Sequence, residues 1–267
     1  MITGGYQIVK ETIQVLKDEG KAITDLLIPR ECAVCGRRLN VNEPFLCLYC
    51  EADLPFTRYW MRQINPMSDK VNALLQRNLT DKIISEPDTN HTHLMAYSYA
   101  TALFFYHGEN GYRKIPQRLK YNGDIPEGQY YASMLGRFMK ESPHFQDIDI
   151  IVPVPLHWTR KWNRGYNQAE IIARALGNEL GIPVRTDILE RKKHTTTQTK
   201  LRVEDKAKNV NNAFSVKKKN ENFNHILIVD DVFTTGATAC ACINAMQQSY
   251  GTDKRFSVAT LGFVNNG

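Results

Sequence analysis

The chain has 267 residues, 42% of them hydrophobic and 23% charged, enough for one or two domains with a proper core and too apolar for disorder. Its uncharged apolar runs fall far short of the roughly 20 residues that cross a bilayer as a helix, so membrane insertion is not expected. Charges at Lys10, Glu11, Lys17, Asp18 and Glu19 occupy the place of a signal peptide's apolar core, so a cytoplasmic protein is expected.

Residues 6–28 place Ile13, Leu16, Ile23, Leu26 and Leu27 among charges, the pattern of an amphipathic helix filling 1–28. The next segment, 29–55, spells C-x2-C-x11-C-x2-C with Cys32, Cys35, Cys47 and Cys50. Each C-x2-C turn aims two thiolates at one point, and two such knuckles complete a closed, structural zinc site. Gly36 suits the tight knuckle turn. Disulfides are the competing reading, and the missing secretion signal weighs against them. Residues 56–93, with Pro66, Pro87 and a polar run, read as a connector.

From 94 onward strands and helices alternate. Leu94–Tyr106 reads as strand, Tyr112–Tyr121 and Glu127–Lys140 as helix, and Asp149–Pro155 as a buried strand stopped by prolines. Asn167–Leu180 has helical period and is stopped by Gly181 and Pro183. His225–Val229 is a strand, Thr238–Tyr250 a helix and Phe256–Phe263 a last strand. The alternation predicts an α/β domain over 94–267 with a mainly parallel central sheet. Cys240 and Cys242, two apart on a helix, read as buried small hydrophobes. Residues 185–219 carry eleven basic side chains against four acidic ones and concentrate the chain's formal +6. Such a field draws phosphates or nucleic acid, unless it is simply a solvated surface.

The chemistry concentrates in His225–Thr238, HILIVDDVFTTGAT. A buried strand ends in Asp230 and Asp231, and the loop Thr234-Thr235-Gly236-Ala237-Thr238 opens a helix. Ligands of open α/β sheets bind at the carboxyl ends of strands, and a helix start offers free N–H groups and a positive dipole end to a phosphate. Phosphate on this loop would leave both acids facing a polyol or a metal ion. Neither a Walker loop nor a G-x-G-x-x-G fingerprint is present.

Val229–Thr238 resembles the phosphoribosyl-diphosphate (PRPP) motif of type I phosphoribosyltransferases. With the four-cysteine segment, with Leu119-Lys120-Tyr121, Val152–Glu170 and Thr196–Phe214, the chain resembles the ComF family: a zinc ribbon followed by a phosphoribosyltransferase domain. The resemblance implies a type I phosphoribosyltransferase fold over 94–267 and a link to natural competence, the uptake of single-stranded DNA. It implies that Asp230 and Asp231 contact the ribose 2′- and 3′-hydroxyls and that Thr234, Thr235, Gly236, Ala237 and Thr238 hold the 5-phosphate. Pro153 and Val154 begin the pyrophosphate loop, with Arg160 and Arg164 as its cations, Lys120 as a pocket residue, and Mg²⁺ arriving with PRPP. A mobile hood maps onto Lys192–Lys208. Trp158 and Trp162 offer stacking to substrate or DNA, or packing against the sheet. The alternatives to transfer are a non-catalytic PRPP or nucleotide sensor and a single-stranded-DNA-binding adaptor acting with competence proteins. The four cysteines, and the start MITGGY, set the chain apart from glutamine-using amidophosphoribosyltransferases.

Overall fold

The computed structural model describes residues 29–85, 96–106, 111–156, 162, 164–191, 213–217, 221 and 223–264. The helix expected over 1–28, the hood over 192–208, Trp158 and Arg160 lie outside them. The chain divides into two compact units, one holding the described residues 29–54 and 111–115 and the other 55–106 and those from 116 onward.

The first unit is built around its cysteines. Glu31 and Arg38 form an isolated antiparallel bridge, and between them the chain turns tightly: Gly36 N–H donates to Cys32 O at 2.9 Å, with Gly36 at φ +73°, where an L side chain is strained. Glu43 steadies the second knuckle, its carboxylate accepting from the N–H groups of Asn40 and Leu48 at 2.7 Å each, and the short helix α1, Leu48–Ala52, follows. Tyr112 donates its hydroxyl to Cys50 O at 2.9 Å.

The second unit is an α/β sandwich. Its elements in chain order are α2 (Pro66–Ser85), β1 (Tyr99–Phe105), α3 (Lys114–Gln117, which spans the boundary between the units), a π-helical turn (Arg118–Asn122), α4 (Ile125–Lys140), β2 (Ile150–Pro153), α5 (Gln168–Leu180), β3 (Leu189–Arg191), β4 (Phe214–Val216), β5 (His225–Phe233), α6 (Ala237–Tyr250) and β6 (Arg255–Phe263). Strands β1-β6-β5-β2 form the central sheet, every pair parallel, as the alternation predicts. The antiparallel pair β3–β4 stands apart and has no counterpart among the expected elements.

Strand alternation sorts the core onto two faces. Ile226 and Ile228 of β5 join one cluster with Met67, Val71 and Leu75 of α2 and with Cys240, Ile243 and Met246 of α6. On the other face Ile151 of β2 approaches Gly177 of α5, and α4 packs on α5. Cys240 and Cys242 are buried, as expected.

Two expectations are corrected. The connector over 56–93 contains a 3₁₀ turn, Tyr59–Met61, and the 20-residue helix α2, whose Met67, Val71 and Leu75 are core residues. Pro66 occupies the first helical position, where its missing N–H costs nothing, and the Asn65 side chain accepts from Met67 N–H and Ser68 N–H at 3.1 and 3.0 Å. Strand β5 does not stop at Val229 but runs four residues further, so Asp230 and Asp231 lie within the strand.

Candidate functional site

That extension opens the site. β2 pairs with β5 only as far as Pro153–Val229, and Val154 N–H makes one more bond to Val229 O at 2.8 Å. Beyond this point β5 continues against β6 alone, to Phe233–Phe263. Where β2 leaves the sheet, a cavity of about 330 Å³ is lined by Val154, Pro155 and Leu156 on one side and Asp230, Asp231 and Val232 on the other. It lies at the carboxyl ends of parallel strands, where open α/β sheets bind ligands.

Both carboxylates are fixed by the backbone after them: Asp230 Oδ1 accepts from Asp231 N–H and Asp231 Oδ1 from Val232 N–H, each at 2.8 Å. Burial, and then the charge on Asp231, pushes the Asp230 carboxyl above the ordinary carboxylate range, against the pull of Lys120 and Arg191. Lys120 reaches the site from the π turn, its Nζ 3.5 Å from Asp231 Oδ2. Arg164 lays its guanidinium over the Tyr121 ring at 5.3 Å, and its buried Nη1 has no hydrogen-bond partner. Arg191 rests over the Phe214 ring at 5.5 Å.

Of the residues singled out in the sequence, Lys120, Val154, Arg164, Asp230, Asp231, Thr234 and Thr238 line this one cavity. Pro153, Thr235 and Ala237 do not. Pro153 is spent on the ladder with Val229, Thr235 accepts from Ala237 N–H at 3.4 Å, and Ala237 begins α6. Gly236 caps that helix at φ +83°, and an added Cβ would stand 2.6 Å from the Phe233 ring. Gly236 offers no capping side chain and the first turn of α6 carries no acidic residue, so no negative charge from that turn offsets the positive dipole end of the helix. Beneath the loop is a void of about 20 Å³, room for one water, lined by Asp230, Phe233, Thr234, Gly236 and Thr238 among others.

Sequence reasoning missed Tyr106, Asn167, Gln168 and Arg191, which also line the cavity. Asn167 caps α5 by accepting from Ala169 N–H at 3.2 Å and ties back to Val154 O at 3.0 Å. Gln168 is buried, and its Nε2 has no acceptor of ordinary geometry, although the amide lies close enough to Tyr166 to favour its ionised form. The cavity thus sets two acceptors, Asp230 and Asp231, against amide and cationic donors. A ligand carrying hydroxyls and anionic groups matches both sets.

The cysteines form a second, separate constellation. All four sulfur atoms lie within 4.8 Å of one another, with Cys35 and Cys47 at 3.7 Å. A tetrahedron of Zn–S bonds near 2.3 Å has edges of about 3.8 Å, so the cluster fits a metal ion. Burial opposes ionisation of Cys32, but the N–H groups of Cys35, Cys47 and Val34 outweigh it and hold the thiol down at about 7.

No family model matches the chain. Competence protein F of Haemophilus influenzae is 36% identical over 127 residues, 46% of this chain and 56% of that protein. Competence protein ComFC of Streptococcus pneumoniae is 28% identical over 174 residues, 63% of this chain and 67% of that one. The chain is thus similar in sequence to the ComF competence proteins over part of their length. DNA utilization protein YhgH of Salmonella typhimurium, 36% identical over 99 residues, shares 37% of this chain and 43% of its own length. The ComF-like alignment therefore spans about half the length of Competence protein F and less of YhgH. Among solved structures, a purine phosphoribosyltransferase from Pyrococcus horikoshii aligns at TM-score 0.31 and 15% identity over 50% of this chain and 83% of its own. Adenine phosphoribosyltransferase from Leishmania tarentolae aligns at TM-score 0.28 and 12% identity over 55% and 74%. Among the described residues no helix is long and apolar enough to cross a membrane.

Proposed function

We propose that this ComF-like chain binds PRPP at the cavity where β2 and β5 part, and acts as a phosphoribosyltransferase-like protein in the handling of incoming DNA. The observation that carries the reading is the meeting of Asp230, Asp231, Thr234 and Thr238 with Lys120 and Arg164 around one cavity. The two carboxylates accept the ribose 2′- and 3′-hydroxyls, the loop Thr234–Thr238 and the start of α6 take the 5-phosphate, and Arg164 with Lys120 faces the diphosphate. Mg²⁺ bound with PRPP would neutralise diphosphate charge, and the oxygen-rich pair Asp230 and Asp231 suits such a hard cation. If a ribosyl group is transferred, these residues hold C1 in line with the departing diphosphate and stabilise its growing charge. The four cysteines hold a structural Zn²⁺, and the site belongs to a cytoplasmic protein.

Isothermal titration with PRPP and Mg²⁺ tests the reading, with saturable binding in the wild type and none in the Asp230→Asn/Asp231→Asn double variant. A wild type that gives no heat and no thermal shift overturns it. Release of pyrophosphate over a panel of bases then separates a transferase from a sensor. A second reading, contact with single-stranded DNA, is favoured by two aromatic rings left in solvent beside lining residues: Tyr121 is 71% exposed and Trp162 85%. It requires binding that weakens steeply with salt, and salt-insensitive or absent binding removes it.

A further inference from the structure

Two cation-bearing segments face the cavity without being neighbours in sequence: the π turn with Lys120, and the turn with Arg164 that leads into α5. Both must be held for their charges to converge. π turns are rare and costly, and this one leaves a carbonyl to be satisfied. After the turn, the N–H groups of Gly123 and Asp124 both go to Arg118 O, and the Leu119 carbonyl instead accepts the hydroxyl of Tyr166. Tyr166 stands two residues from Arg164, whose guanidinium covers Tyr121 of the same π turn. The two segments are thus clasped twice. Behind the turn, Leu119 is fully buried and presses on Gly128 of α4, where an added Cβ would lie 2.7 Å from both Leu119 methyl carbons. Burial raises the Tyr166 phenol above its ordinary value, so it remains a donor at neutral pH.

We propose that Tyr166 is a positioning residue: through the Leu119 carbonyl it fixes the π turn so that Lys120 meets Asp231 beside Arg164. Its consequence for PRPP rests on the reading above, whereas the clasp itself is a property of the free protein. The test is therefore made first without ligand, on the full, metal-loaded chain, by limited acetylation with acetic anhydride read by mass spectrometry. Lys120 in Tyr166→Phe is expected to react about threefold faster than in the wild type, the same rise expected when its partner is removed in Asp231→Asn, with solvent-exposed Lys140 unchanged. Gly128→Ala, which pushes the same turn from behind, is expected to give the same rise. Lys120 reacting at the wild-type rate in Tyr166→Phe overturns the proposal, and so does a parallel rise at Lys140, which would mean general loosening. Titration with PRPP and Mg²⁺ is the second arm, with binding about tenfold weaker in Tyr166→Phe. A wild type that does not bind PRPP defeats the ligand reading, while the acetylation rates still decide whether the clasp exists.

Discussion

The two units of this protein are stabilised by different means. Among its described residues the cysteine unit buries few apolar side chains besides the cysteines, namely Ala33, Leu39, Leu46, Leu54, Tyr112 and Ile115, around four sulfurs. The sheet unit buries a continuous core from α2, the four central strands and α6. A small core cannot offset the entropy of ordering its own chain, so the first unit is expected to depend on a metal held by its four cysteines, while the second carries its stability in hydrophobic burial. Dependence on a metal shows as a few residues at fixed spacing; dependence on a core shows as a pattern spread over the chain.

The most direct way to break this comparison is to remove the metal. Cys47→Ser, or a strong chelator, is expected to unfold the cysteine unit outright and leave the sheet unit's melting transition within a few degrees of its starting value, read by proteolysis and calorimetry. One cooperative collapse of both units would show that they do not stand on separate supports. The reciprocal variant, Ile228→Ala in the fully buried middle of β5, is expected to cost the sheet unit about 2–5 kcal/mol and to leave the metal site able to hold its ion.

What the sequence made legible follows the same division. The cysteine framework could be read because all four cysteines fall within 19 residues, and Asp230, Asp231, Thr234 and Thr238 because they share one strand, the turn after it and the start of α6. Asn167, Gln168, Arg191 and Tyr106 belong to the same cavity but come from three other parts of the chain, and only the sheet brings them together. Asn167 did leave a trace: Asn is a preferred residue at the start of a helical period, where its side chain caps the first turn. Helix α2 was missed because Pro66 reads as a breaker, although after Asn65 a proline is as good a start as a stop. The extension of β5 left no trace at all. A strand whose last residues are carboxylates looks finished, and only pairing with β6 on one side carries it onward.

Within the sheet unit, stability and site are set against each other at Asp230. Its folded carboxyl is raised, so between an unfolded value near 3.9 and that raised one the native state holds more protons than the unfolded chain, and stability falls as pH rises through the window. Asp230→Asn is therefore expected to melt several degrees higher than the wild type at pH 8 without ligand, and to lose that advantage at pH 4. If PRPP binds as proposed, its affinity in the wild type is expected to rise with pH over the same window, because the ionised carboxylate would be the hydroxyl acceptor. A melting temperature unchanged by Asp230→Asn at pH 8 would mean that the carboxyl is not strained.

The smallest effect lies at the opposite end of β5 and has the opposite sign. His225 is buried, and burial drives its imidazole down to about 4. The ring is held on both sides: Nε2 lies 2.8 Å from Ser257 Oγ, and Nδ1 lies 3.0 Å from the Arg255 guanidinium and 3.1 Å from Asp147 Oδ1, which are paired with each other. The unfolded chain takes up a proton near 6.5 and the native state only near 4, so stability is complete above the first value and is lost as pH falls toward the second. The urea midpoint is expected to drop between pH 7 and pH 4.5 by the equivalent of at most about 3 kcal/mol from this residue. His225→Gln keeps a side-chain donor but cannot titrate, so it isolates that share as the difference between the two slopes. Equal slopes would show that the ring accepts its proton in place, with Asp147 close enough to receive it.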